Sequence, residues 1–151
     1  MAAISTFGST LKVGPTTSGA YTAPTLVVGE ITSMNVDGIK LNAIDVSGLS
    51  DRFRKFIPGM IDSGSISLEV NLDPDDAQQG TIIDQLDVSA ATTYPAAKSW
   101  LIQYGDATNL GANFECVGIV TDFSVKGGMD SALTATFTIK LTGSINFVDV
   151  D

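Results

Sequence analysis

The chain has 151 residues, 44% of them hydrophobic and 17% charged, and a net charge of −9. That is one domain of ordinary size, able to bury about two thirds of its surface without a disulfide or metal staple, and too apolar for a disordered chain. Eight cations against seventeen acids are a poor grip for phosphate backbones or anionic membrane surfaces. The lack of histidine excludes Ser-His-Asp and Cys-His nucleophiles and His-ligated metals, and one cysteine, Cys116, closes no intrachain disulfide and builds no thiolate zinc site.

The first cation is Lys12, and no long apolar run occurs. The expectation is a chain without secretory signal or membrane span, folded in a cytosol. Residues 1–25 are rich in Gly, Ser, Thr, Ala and Pro and read as a loosely structured N-terminal arm with one short strand, ordering against a neighbouring subunit. Residues 26–151 then form a single β domain. Leu26 to Asn35 reads as one strand and Ile39 to Val46 as the next, with Asp37-Gly38 as a hairpin-type turn between them.

Ser47 to Gly64 breaks the pattern and has the length of a long connection. It holds three of the eight cations, Arg52, Arg54 and Lys55, together with Phe53, Phe56, Ile57, Met60 and Ile61, and Pro58-Gly59 reads as a turn. A basic and apolar excursion on an acidic chain calls for a partner surface.

Ser65 to Leu72 alternates cleanly: Ile66, Leu68, Val70 and Leu72 on one face; Ser65, Ser67, Glu69 and Asn71 on the other. A helix is expected over Pro74 to Val88, with Asp73 as N-cap, Pro74 in the first helical position, and Ala77, Ile82, Ile83 and Leu86 on its apolar face. A loop with Pro95 follows. Lys98 to Tyr104 is a strand holding Trp100, and Asn109 to Gly111 turns the chain. Phe114 to Val125 is a long strand kinked at Gly118, ended by the turn Lys126-Gly127-Gly128. From Ala132 to Thr142, Leu133, Ala135, Phe137, Ile139 and Leu141 alternate with Thr134, Thr136, Thr138, Lys140 and Thr142, a period of 2 that no helix produces. Ile145 and Phe147 extend that strand. The sum is mainly β: six to eight strands in a sandwich or barrel with one packed α-helix.

Tests for site chemistry come out negative. Asp73, Asp75, Asp76 and Asp84 lack the oxygen ligand, glycine and glutamate of a calcium loop, so helix capping is preferred to metal binding. No phosphate-binding glycine motif occurs, and nothing singles out a glycosidase carboxylate pair. Cys116 reads as a small buried hydrophobe. Trp100 and Tyr104 share a strand face, as a core pair or as the platform of a monomeric carbohydrate-binding β-sandwich. No cofactor or metal is expected, and an enzyme is the weakest option.

One segment carries a resemblance. Asp45-Val46-Ser47, the long connection, then Phe56-Ile57-Pro58-Gly59-Met60-Ile61-Asp62-Ser63-Gly64 and the alternating strand to Val70 resemble the tail tube proteins of long-tailed bacteriophages. The helix from Pro74 and the Gly-rich turn with its Thr-rich strand at Gly127 to Thr142 follow in the order that family shows. The likeness spans roughly residues 26 to 147. It implies hexameric rings that stack into a hollow tube, each subunit giving a four-stranded sheet to an inner barrel, with the helix and second sheet outside. It implies that the 47–64 loop reaches the adjacent ring through Arg52, Phe53, Arg54, Lys55, Phe56, Ile57 and Met60. Ser65, Ser67, Glu69, Asn71, Thr134, Thr136 and Thr138 would then face an acidic or polar lumen through which DNA passes without sticking. Implied partners are further copies of the chain and the tape-measure, tail terminator and baseplate proteins. The implied place is the virion tail, assembled in the host cytoplasm, or a related tail-like particle with the same fold.

Overall fold

The computed structural model describes residues 8–16, 21–84, 97–105 and 111–149. In chain order these form β1 (Thr10–Thr16), β2 (Leu26–Val28), β3 (Ile31–Asp37), β4 (Lys40–Asp45), β5 (Phe56–Asp62), β6 (Ser65–Asn71), α1 (Ala77–Asp84), β7 (Lys98–Tyr104), β8 (Ala112–Gly128) and β9 (Ser131–Asp149). Seven strands make one sheet in the order β2-β1-β7-β8-β9-β6-β3, with every pairing antiparallel; β4 and β5 pair only with each other.

The long strands β8 and β9 fold this sheet into a two-layer sandwich. The first half of β8 lies between β7 and the end of β9, while its second half pairs with the start of β9, which in turn pairs with β6. The register slips between Glu115 and Val117 and again between Val120 and Asp122. Such bulges bend a strand and sharpen its twist. At this corner Gly143 has a φ of 76°. On β8, a Cβ on Gly118, which pairs with Leu141, would lie 2.9 Å from Ile139 Cγ2 and from Lys140 O. Gly118, where a kink was expected, lies between the two slips in regular register with Leu141.

The layers bury one core. Leu11, Val13, Trp100 and Ile102 come from one, and Ile66, Leu68, Val70, Ala135, Phe137 and Ile139 from the other. Each large side chain buried there contributes roughly 1.5–3 kcal/mol. Phe123 stacks on Phe137 with ring centroids 5.0 Å apart. Trp100, fully buried, donates its Nε1–H to Gly118 O at 3.1 Å, so its polar edge carries no desolvation penalty.

Several expectations need correction. Leu26 to Asn35 is two strands. Glu30 takes a φ of 59°, which breaks the run, and β2 and β3 go to opposite edges of the sheet. Asp37-Gly38 makes no hairpin turn: β3 pairs with β6 and β4 with β5, and the chain runs on from β3 into β4. The expected 47–64 loop is a strand over its second half. Pro58-Gly59 lies within β5 at a register slip, where a bulge tolerates a residue without an N–H. The turn after β8 is Met129-Asp130, since Lys126-Gly127-Gly128 still belongs to the strand. The short strand in the first 25 residues is β1. It pairs with β2 and β7 and buries Leu11 and Val13 in the core of its own chain.

The helix begins later than expected. Asp73 and Pro74 form a turn, and Asp76 is the cap: its Oδ1 accepts the N–H groups of Gln78 and Gln79 at 2.9 and 3.1 Å. Its Oδ2 accepts the Gly29 N–H at 3.1 Å. Ile82 and Ile83 pack on the core as expected, Ala77 is exposed, and Leu86 and the Pro95 loop lie outside the described residues.

Candidate assembly surfaces

β4 and β5 form a ribbon that leaves the sandwich. Every residue of β4 is exposed, and no side chain of either strand belongs to the core. The cross-strand pairs are Leu41 with Ile61, Ile44 with Ile57 and Asp45 with Phe56. At the tip, Leu49 and Phe53 are 112% and 84% exposed, and Met60 on β5 is 87% exposed. Large apolar side chains gathered in this way on one exposed ribbon mark a contact surface. All seven expected contact residues, Arg52, Phe53, Arg54, Lys55, Phe56, Ile57 and Met60, lie here.

The tip is ordered by its own carboxylates. Gly48 N–H donates to Asp51 Oδ2 at 2.7 Å, Lys55 pairs with Asp51 at 3.0 Å, and Lys55 N–H donates to Ser47 Oγ at 2.7 Å. The Gly48 N–H, then Lys55, hold Asp51 below the ordinary carboxylate value, and the Ser47 hydroxyl and N–H do the same for Asp45. Arg52 and Arg54 have no ion-pair partner among the described residues. Leu41, Ile44, Val46 and Leu49 belong to this surface and escaped the sequence reading. The available signal was a phase slip: the apolar positions run Ile39, Leu41, Ala43, then shift to Ile44 and Val46, which no single buried face accommodates.

A second surface is polar. β3, β6, the start of β9 and the end of β8 make a four-stranded layer. Its inner face is the core. Its outer face sets Ser33 beside Glu69, Thr136 and Ser124; Asn35 beside Ser67, Thr138 and Asp122; Asp37 beside Ser65, Lys140 and the apolar Ile119; and Asn71 beside Thr134 and Lys126. All seven candidate lumen residues, Ser65, Ser67, Glu69, Asn71, Thr134, Thr136 and Thr138, fall on this one face. Its cations do not form a track: Lys140 is tied to Asp62 at 2.9 Å, and Lys126 stands alone on the far strand.

The same layer has two open edges. Among the described residues, β3 has no partner beyond β6, and Ile119–Gly128 of β8 has none beyond β9. Open edges of such length are aggregation templates unless something covers them.

The remaining candidates become core. Trp100 is buried and Tyr104 donates its hydroxyl to Met34 O at 3.1 Å, so neither ring offers a sugar platform. Burial pushes the Cys116 thiol up to about 12. Asp73 and Asp76 serve the turn and the helix cap. Among the described residues no cluster of three or more acids or thiols could hold a metal, and no helix is long and apolar enough to cross a membrane.

Residues 13–149 match the family model for the phage tail tube protein, TTP, lambda-like. No curated protein matches the sequence. Among solved structures, the chain is similar to one in the PVC extracellular contractile injection system sheath/tube terminator, in its extended state. That match has a TM-score of 0.73, 13% identity and 98% of both chains covered. It is similar to the tube terminating cap of the anti-feeding prophage, with a TM-score of 0.71, 13% identity and coverage of 99% and 93%. It is also similar to the SPP1 tail tube, with a TM-score of 0.68, 10% identity and coverage of 99% and 80%. At these identities the likeness is one of fold.

Proposed function

The chain belongs to the lambda-like phage tail tube family, a structural component of the virion tail and not an enzyme, and from that premise we propose how its copies join. Six copies close a ring edge to edge, and rings stack into a hollow tube. The observation that carries this is the pair of open edges on the polar four-stranded layer. Strand sense alternates across β3, β6, β9 and β8, so the two edges run in opposite directions. Rotation about a common axis preserves sense, and β8 of one copy then meets β3 of the next as an antiparallel pair. Pairing around the ring leaves no edge exposed.

The polar face turns inward in this arrangement. Hydroxyls and amides from Ser65, Ser67, Asn71, Thr134, Thr136 and Thr138, with Glu69 among them, line the pore. A wall without a cationic track, in a chain of net charge −9, gives passing DNA little counterion release and therefore little adhesion. The ribbon reaches the adjacent ring, burying Leu49, Phe53, Phe56, Ile57 and Met60 and bringing Arg52 and Arg54 to acidic ground. The ends of the tube meet tape-measure, terminator and baseplate proteins.

The test removes the tip. Replacing residues 47–54 with Asn-Gly, the dipeptide of a tight hairpin, should leave a folded subunit by circular dichroism that forms no tubes under negative stain, and Phe53→Asp should act in the same direction. Tubes of normal length from both variants would refute the docking role of the ribbon.

A further inference from the structure

The ribbon joins the body at a single level. β3 and β6 end their pairing at Asp37 opposite Ser65, and β4 and β5 resume it at Lys40 opposite Asp62, in the same register. Residues 31–71 are therefore one long hairpin interrupted once. Each interruption contains a left-handed glycine, Gly38 at φ 76° and Gly64 at φ 81°. The two touch: a Cβ on Gly64 would fall on Asp37 O and lie 2.8 Å from the Gly38 carbonyl carbon. A third left-handed glycine, Gly143, accepts a hydrogen bond from Ser63 Oγ.

Three contacts bridge the interruption to the body. Lys140 Nζ on β9 lies 2.9 Å from Asp62 Oδ1, and that same oxygen accepts the Gly64 N–H at 2.9 Å. Leu141 N–H donates to Gly64 O at 3.1 Å, and Ser63, itself buried, reaches Gly143. No apolar side chain of β4 or β5 is anchored in the core. Paired strands resist bending, so a break in both at one level concentrates any motion there, where glycine absorbs it without steric cost.

We infer that this junction is an elbow, and that Asp62, Ser63 and Lys140 form a clasp that sets the angle at which the ribbon leaves the body. The elbow stands on its own geometry; its use in presenting the ribbon to the next ring rests on the function proposed above. The ion pair is about half exposed on both sides, and exposed pairs bias an equilibrium by no more than about fivefold. A clasp of that strength aims the arm in the free subunit and yields when docking demands another angle.

The test reads the elbow directly. Met60→Cys on the ribbon and Met129→Cys on the body are exposed labelling sites, while the native Cys116 is buried and unreactive. Pulsed electron–electron resonance on dilute, doubly spin-labelled full chain should give a narrow distance distribution. It should widen at least about twofold in Lys140→Met and further when Ser63→Ala is added, and Lys140→Arg should keep the parental width. A distribution equally wide in parent and double variant, or equally narrow in both, overturns the clasp. Tubes from the parent alongside an unchanged width would sink the elbow alone. Widening in the variants, from a parent that never forms tubes, would sink the assembly reading and leave the elbow standing.

Discussion

Gln79 is 1% exposed, and both polar atoms of its side chain are hydrogen-bonded. Its Nε2 donates to Gly29 O and Asn71 O at 3.0 and 3.1 Å, and its Oε1 accepts the Asp73 N–H at 3.0 Å. With Asp76 it fastens the helix to the break between β2 and β3. Gln79→Ala strands two carbonyls and an amide, so it should cost about 1–3 kcal/mol, read as a lowered urea midpoint at unchanged slope; an unchanged midpoint would show the bolt to be idle. Nothing in the sequence marks this residue, because a buried glutamine has no periodic signature and its partners are 8 and 50 residues away. The choice between Asp73 and Asp76 as cap was hidden for a related reason. Both suit a helix start, and Pro74 argues for the earlier one, but the Gly29 N–H that rewards Asp76 is supplied only by the folded chain.

β6 and β9 were legible because each has one apolar and one polar face, and strict alternation has a single structural meaning. Their polar residues fell together for the same reason: in an antiparallel pair, opposite residues share a face. The ribbon was half legible. Its contact residues stood out by composition, but β5 was hidden, since Phe56-Ile57-Pro58-Gly59-Met60-Ile61 is apolar on both faces and interrupted by Pro-Gly. A strand that buries neither face in its own chain lacks the alternation that announces a strand. Asp45, Asp51 and Asp62, held low by their N–H, hydroxyl and lysine partners, order the tip and base of this ribbon. A depressed carboxylate contributes order above its unfolded value, here the ordinary 3.8, and loses it as pH falls through the lower folded value. The Gly48 and Gly64 amide proton shifts should therefore hold steady from pH 8 to about 5 and move only below about 3.8. A midpoint above that value would contradict the carboxylate account.

The whole molecule is a sandwich with its polar outer face and two open edges on one layer and an apolar arm leaving that layer's corner. Open strand edges and an exposed apolar arm are costly to leave in water, and in the proposed assembly each of them meets another copy. The architecture class was readable from strand count and alternation. The folding of one sheet into two layers was not, because it depends on a bulge in β8 at Thr121 and on the extra residues of β9 between Thr142 and Asn146, around Gly143, which bend strands without announcing themselves in the sequence. A helical cryo-EM reconstruction of tubes grown from the purified chain tests the account most directly. It should show β3 of each copy paired antiparallel with Ile119–Gly128 of β8 from its neighbour, and Glu69 and Thr136 on the pore wall. Rings closed through any other strands, or those two side chains on the outside of the tube, would contradict it.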